Sequence, residues 1–299
     1  MKKASLVIWS IIAIVLIFVL VLGLTNHLDL FKFIGIFGES VYYPDSKLYT
    51  VGEGSASVRE VRSLKLDWIA GNVTISTYGG KDIKFSESAS YDMKPNEEMR
   101  YLIKDGKLII RFCAPGRVAK RDKSLTVYLP EDYEPDKIVV DTASASVNVQ
   151  DLKALEARLE TVSGSVKAEG IVSDTLSIET VSGKITVVGC MAESLITQSV
   201  SGSANCEGNF IWIDSESVSG GITLAPGEDV LKIDAEAVRG EVRVELLENV
   251  NFTARYYSVS GDFICDFPVI TGKKTVTHGS GGTQLELETV SGNISIVKK

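Results

Sequence analysis

The chain has 299 residues, 44% of them apolar, with 31 Lys and Arg against 39 Asp and Glu and a net charge of −8. That composition excludes a disordered chain, and the acidic balance argues against a surface that neutralises nucleic-acid phosphates. Only two histidines are present, His27 and His278, which starves most metal and acid–base sites of their commonest residue.

Residues 6–24 read LVIWSIIAIVLIFVLVLGL, nineteen residues without a charge. At 1.5 Å per residue this run reaches about 28 Å, nearly a bilayer core, and predicts one N-terminal transmembrane helix. Lys2 and Lys3 precede it and the next charge is Asp29, so the positive-inside rule puts tail 1–5 in the cytoplasm and the rest outside, across the cytoplasmic membrane. A cleaved signal peptide is the rival, but the apolar run exceeds the usual core of one and no A-x-A-like site follows. Removing the two lysines leaves 29 bases against 39 acids outside, a net −10. Residues 25–57 read as a juxtamembrane linker: HLDLFKFIGIFG suits an interfacial segment or a packed neck, and the following Gly, Ser and Pro suit a loop.

From residue 58 the chain repeats. Val-Ser-Gly occurs six times, with its last two residues at Ser163-Gly164, Ser182-Gly183, Ser201-Gly202, Ser219-Gly220, Ser260-Gly261 and Ser291-Gly292; a seventh copy is Val238-Arg239-Gly240. Successive glycines lie 19, 19, 18, 20, 21 and 31 residues apart, the period of one solenoid coil. Two residues after the glycine stand Val166, Ile185, Ala204, Ile222, Val242, Phe263 and Ile294. Four after it stand Ala168, Val187, Cys206, Leu224, Val244, Cys265 and Ile296. The residues between are mostly polar, so these are strands with one buried face.

Before the glycine, apolar columns fall at minus seven (Leu176, Leu195, Ile213, Ile233, Leu285) and at minus two, the valine. An odd offset followed by an even one predicts that the inward face changes phase at a bend between them. The frame extends backwards to Ala145 and Gly71, which predicts about nine rungs. Residues 77–135 break the period with a hairpin at Asp105-Gly106, an elaboration of the same domain, 58–299. The fold expected is therefore all-β.

The repeated serines carry no signature of catalysis, because the motif recurs in six rungs and no histidine accompanies it; glycine for a positive φ or a close approach and serine for a local turn bond explain it. No catalytic, cofactor or metal site is expected, and no cofactor: no CxxC, HExxH, EF-hand or nucleotide loop is present. His278 reads as a loop residue. Cys206 and Cys265 share an inward column three rungs apart, too far for a disulfide, and read as small fillers; the state of Cys113 and Cys190 stays open. The outward acids Glu160, Glu179, Asp214, Glu216, Asp234, Glu236 and Glu288 form a stripe that suits cations or cationic polymers, the carboxylate pair of a glycosidase, or a merely solvated edge. Asn72, Asn251 and Asn293 sit in N-x-[ST] sequons.

The six VSG rungs, the run SLTVYLPEDYEPDKIVVDTASASVNV and the closing GSGGTQLELETVSGNISIV resemble the bacterial toast-rack domain, a candidate-adhesin family of β-strand repeats, over about residues 58–299. The resemblance implies a right-handed, single-stranded β-helix-like solenoid, often on a membrane anchor, in cell-envelope proteins of unknown biochemical activity, some of them in envelope-stress systems. It supplies no catalytic residue. The function expected is a non-enzymatic module outside the membrane, adhesin-like, scaffolding or stress-sensing, whose partners are envelope proteins or cell-wall polymer and not nucleic acid. The alternatives are a glycan-active enzyme or a scaffold that polymerises end to end through unpaired terminal rungs.

Overall fold

The computed structural model describes residues 40–117 and 121–299. The expected transmembrane helix at 6–24 lies outside them, and no helix among the described residues is long and apolar enough to cross a membrane. The described chain is strands, turns and one short 3-10 turn at Ser46–Leu48.

Each repeat is one coil with two paired legs, one before the glycine, called here the long leg, and one after it, the short leg, although in the two coils nearest the capped end the second strand is the longer. Long legs pair in parallel with long legs and short legs with short legs, as in Leu176↔Leu195 and Val166↔Ile185. The columns at plus two and plus four from the glycine are buried except in the coil that ends at Cys265, where Phe263 and Cys265 are half-buried. Minus seven is buried as expected, from Leu176 to Leu285. Each enclosed Leu or Ile contributes about 1.5–3 kcal/mol.

The expected phase change is not found. Inward positions continue at minus five and minus three, and the third is a small, mostly hydroxyl residue: Thr142, Thr161, Thr180, Ser199, Ser217, Ala237 and Thr289, all buried. The valine at minus two points outward, half-buried or exposed. The change of face falls at the glycine, so the corner is there. Residues 153–161, whose Leu and Glu content would also suit a helix, form the strand Lys153–Thr161, which pairs on both sides.

There are ten coils among the described residues, not nine, and their order in space differs from their order in sequence. From one end they run 107–130, 63–78, 137–150, 153–169, 172–188, 191–208, 210–226, 232–246, 283–298 and 252–265. Nine steps of about 4.8 Å make a stack about 43 Å tall. At each end the chain runs outward and returns. The last coil, Thr283–Ser291 with Ile294–Lys298, is inserted between 232–246 and 252–265. Cys206 and Cys265 are accordingly four steps apart rather than three.

The two ends are closed differently. Beyond coil 107–130, antiparallel strands cover both legs: Arg100–Lys104 and then Thr50–Val51 on the long leg, Asp82–Ala89 and then Gly54–Ser57 on the short leg. Residues 40–57, the distal part of the expected linker, are thus partly strand within this cap, and Ser40–Val41 pairs with Gly116–Arg117. At the other end only the long leg is covered, by Thr275–His278 and then Ile270–Thr271.

One buried cation pins the capped end. The Lys123 ammonium, fully buried, donates to Phe112 O at 2.5 Å and Glu97 O at 2.6 Å and pairs with Glu87 at 2.5 Å. It lies 4.4 Å from the Phe112 ring centroid and 4.9 Å from that of Trp68, whose indole N–H donates to Lys123 O. Burial pushes this ammonium below the usual lysine range, and the Glu87 bond opposes that shift.

Candidate functional site

The repeated glycines line one corner of the prism. A Cβ added to Gly183 would collide with the carbonyl oxygen of Gly164, one on Gly202 with that of Gly183, one on Gly220 with that of Gly202 and one on Gly240 with that of Gly220. The ladder starts with Gly164 on Ala145 and ends with Gly292 on Gly240 and Gly261 on Gly292. Close backbone approach, rather than a left-handed φ, therefore explains Gly164, Gly183, Gly202, Gly220 and Gly292. Inner hydroxyls tie the corner: Thr161 Oγ1 accepts the Gly164 N–H at 2.9 Å, and the Thr289 hydroxyl donates to Gly240 O at 3.1 Å.

Ser163, Ser182, Ser201, Ser219, Ser260 and Ser291 are all exposed on the outer side of this corner, as is Arg239. The Ser163 hydroxyl donates to Ala143 O of the preceding coil at 3.3 Å. These positions shape the backbone and present no assembled nucleophile.

The structure brings the predicted acids together. On the outer face of the long legs, Asp67, Asp141, Glu160, Glu179, Gln198, Glu216, Glu236 and Glu288 stand side by side on successive strands. A second column places Asp214, Asp234 and Glu286 side by side. Neighbours within a column are about one strand spacing apart, and the two columns are two residues apart along each strand.

The two halves of this ladder differ in charge. Towards the capped end each acid has a basic neighbour: Arg111 on Asp67, Lys65 on Asp67 and Asp141, and Arg158 on Glu160 and Glu179. Burial, then Asp67 and Glu160, push the Asp141 carboxyl up to about 7, against Lys65 and Arg158. Towards the other end six carboxylates, Asp214, Glu216, Asp234, Glu236, Glu286 and Glu288, have Lys232 at 3.4 Å from Asp234 and Arg255 at 3.9 Å from Glu286. Desolvation and then Glu288 and Asp234 push Glu236 up to about 7. Asp214, Glu216 and Glu288 are raised too, by desolvation first and neighbouring carboxylates next. An open sheet face thus carries like charges that resist ionising together and that a cation would relieve.

Sequence reasoning missed Trp212. It is 44% exposed, pairs in register with Lys232 and lies on the strand that carries Asp214 and Glu216. Its position at minus eight, one alternation step outward from Asp214, was the available signal.

The acids lie on a flat face and line neither of two polar depressions near the capped end. One, of about 400 Å³, is lined by Asn72, Ser88, Asp122 and Ser144; the other, of about 430 Å³, by Asp45, Tyr49, Lys104 and Arg111. Among the described residues no group of three or more His, Cys, Asp or Glu side chains is placed to hold a metal ion. His278 bonds Pro268 O through Nδ1 and packs on Phe252 and Phe267. All four cysteines are free thiols, and burial pushes Cys113 up to about 11 and Cys206 up to about 12. Asn72, Asn251 and Asn293 are exposed.

Coils of about 20 residues, a glycine corner and parallel legs define a β-solenoid of toast-rack type. The chain belongs to the Toastrack DUF4097 family, whose model matches residues 103–297. Among solved structures, a candidate adhesin from Parabacteroides distasonis is 15% identical, with 82% of this chain and 97% of that one aligned and a TM-score of 0.52. A candidate lipid-binding protein from the same organism is 13% identical over 83% of this chain and 96% of that one, TM-score 0.49. A candidate adhesin from Bacteroides fragilis is 14% identical over 84% and 97%, TM-score 0.43. No curated protein matches.

Proposed function

We propose that the chain is a non-enzymatic, single-pass module on the outer side of the cytoplasmic membrane, adhesin-like or scaffolding, that holds cationic envelope polymer or protein against its acidic face. The carrying observation is the weakly compensated block of carboxylates around Glu236 beside the exposed Trp212. A flat, repeating face fits an extended partner better than a small substrate, and paired acids in a closed cleft are what glycan hydrolysis needs. Membrane tethering rests on the apolar run 6–24 and the lysines before it.

The test is capture by the full chain in detergent of an oligolysine peptide and of purified cell-wall sacculi. Both are expected to be retained at low salt, to be released as salt rises, and to be retained several-fold less by a D234N/E236Q/E288Q variant. Equal retention by the variant, or release of soluble glycan fragments, overturns the proposal.

A further inference from the structure

The far end of the solenoid is a step. Over the long leg of coil 252–265 two further antiparallel strands are stacked, Thr275–His278 and Ile270–Thr271. Over the short leg no further strand is paired among the described residues: Phe263–Cys265 pairs with Ile294–Ile296 on one side only. The amides and carbonyls of Phe263 and Cys265 on the other side are a short free edge, because parallel pairing turns alternate residues away from the partner.

Apolar side chains gather at this step. Ile270 is 78% exposed on the raised half and Ile264 48% exposed on the low half, with Val259, 46% exposed, at the corner end of the long leg. Charge is divided in the same way. Exposed Lys273 and Lys274 belong to the raised hairpin, with Lys274 Nζ 5.6 Å from the ring centroids of Tyr256 and Tyr257. Exposed Asp262 and Asp266 flank the low strand.

We infer that the occupant of this end is a second copy of the same chain, joined about a two-fold axis perpendicular to the stack. Turned over, the raised hairpin of one copy stands above the low half of the other. Both halves then close together, because each step is the same two strands high, about 10 Å. Strand Ile270–Thr271 of each copy meets Phe263–Cys265 of its partner, Ile270 is covered, and Lys273 and Lys274 face Asp262 and Asp266. The contact is isologous and self-limiting. The opposite end is built differently, with antiparallel strands over both legs, so it offers this step no matching step of its own. The joint is argued from the step alone and does not rest on the reading of residues 6–24 as an anchor.

Sedimentation of the full chain in detergent across a range of concentrations tests it, alongside I270K, I264K and, as a control away from the tip, L231K, at a side chain 57% exposed. A monomer–dimer equilibrium is expected for the wild type and L231K, weakened about tenfold or more by I270K and by I264K. Hydrogen exchange at the Phe263 and Cys265 amides is expected to slow with concentration in the wild type and not in I270K. A monomer throughout, a dimer indifferent to both tip variants, species larger than a dimer, or amide protection that needs another protein overturns the inference.

Discussion

Gly183→Ala places a methyl group where the corner has no room. The backbone of Gly183 is outside the left-handed region, so conformational entropy alone predicts a gain of about 0.4–1 kcal/mol from the smaller unfolded ensemble. Packing predicts the opposite: the new Cβ would overlap the Gly164 carbonyl oxygen, which is backbone and cannot rotate away. Relief requires the two coils to separate at the corner, where the Ser182 N–H donates to Val162 O at 2.8 Å. Overpacking of this kind costs about 1–3 kcal/mol, here at the upper end because the obstruction is main chain. Subtracting the entropic gain leaves a net loss of about 2 kcal/mol, roughly 4–8 °C in Tm for a domain of this size. Gly189→Ala separates the two causes, since Gly189 has open space around it but a φ of +62°. It should cost about 1–2 kcal/mol through the left-handed backbone alone. Urea unfolding followed by circular dichroism measures both. A Gly183→Ala protein as stable as the parent, or more stable, refutes the ladder as the reason for the glycine.

Stability should fall as pH rises through neutrality. Glu236 has its folded pKa raised above the unfolded value, so its contribution is fully present below about pH 4.5 and is lost as pH climbs through about 7. Glu216 and Glu288 are raised in the same direction. Denaturation midpoints compared at pH 5 and pH 8 should therefore show E236Q relatively more stable at pH 8, and an unchanged difference across that range would contradict the like-charge ladder. Lys123→Ala leaves the Glu87 carboxylate, 5% exposed, without its cation, with only the Met99 N–H still donating to it, and should cost about 3–5 kcal/mol. Adding E87Q should recover part of that loss in the same unfolding assay. Lysine-rich peptide binding should weaken with salt more steeply for the wild type than for D234N/E236Q/E288Q, a slope readable by titration calorimetry.

Much of the core was legible because the repeat offers ten superimposed copies of one decision. Ile185, Ile222 and Val242 share a column in sequence and are buried in one column in space. The minus-three column escaped because Thr180 and Ser217 are hydroxyl residues, and a search for apolar periodicity settled on the neighbouring valine. Coil 107–130 escaped because a detour separates its legs and removes the 19-residue spacing. Spatial order was illegible at both ends: similar coils dock on similar coils, and a spacing of 31 residues announces an insertion without saying where it goes. The acids were visible as residues. Their division into a well-compensated and a weakly compensated half depends on Lys65, Arg111 and Arg158, which reach across to neighbouring strands.

The position of the final coil bears on how the molecule is made. Coil 252–265 finds its parallel stacking neighbours in 283–298, a stretch that follows it in the sequence. Until that stretch arrives, coil 232–246 offers a bare edge on which 252–265, built to the same pattern, is free to settle out of turn. Coil 283–298 works as a keystone set after the stone it locks: without it the joint between 232–246 and 252–265 stays open, and removing its contacts should loosen both neighbours together.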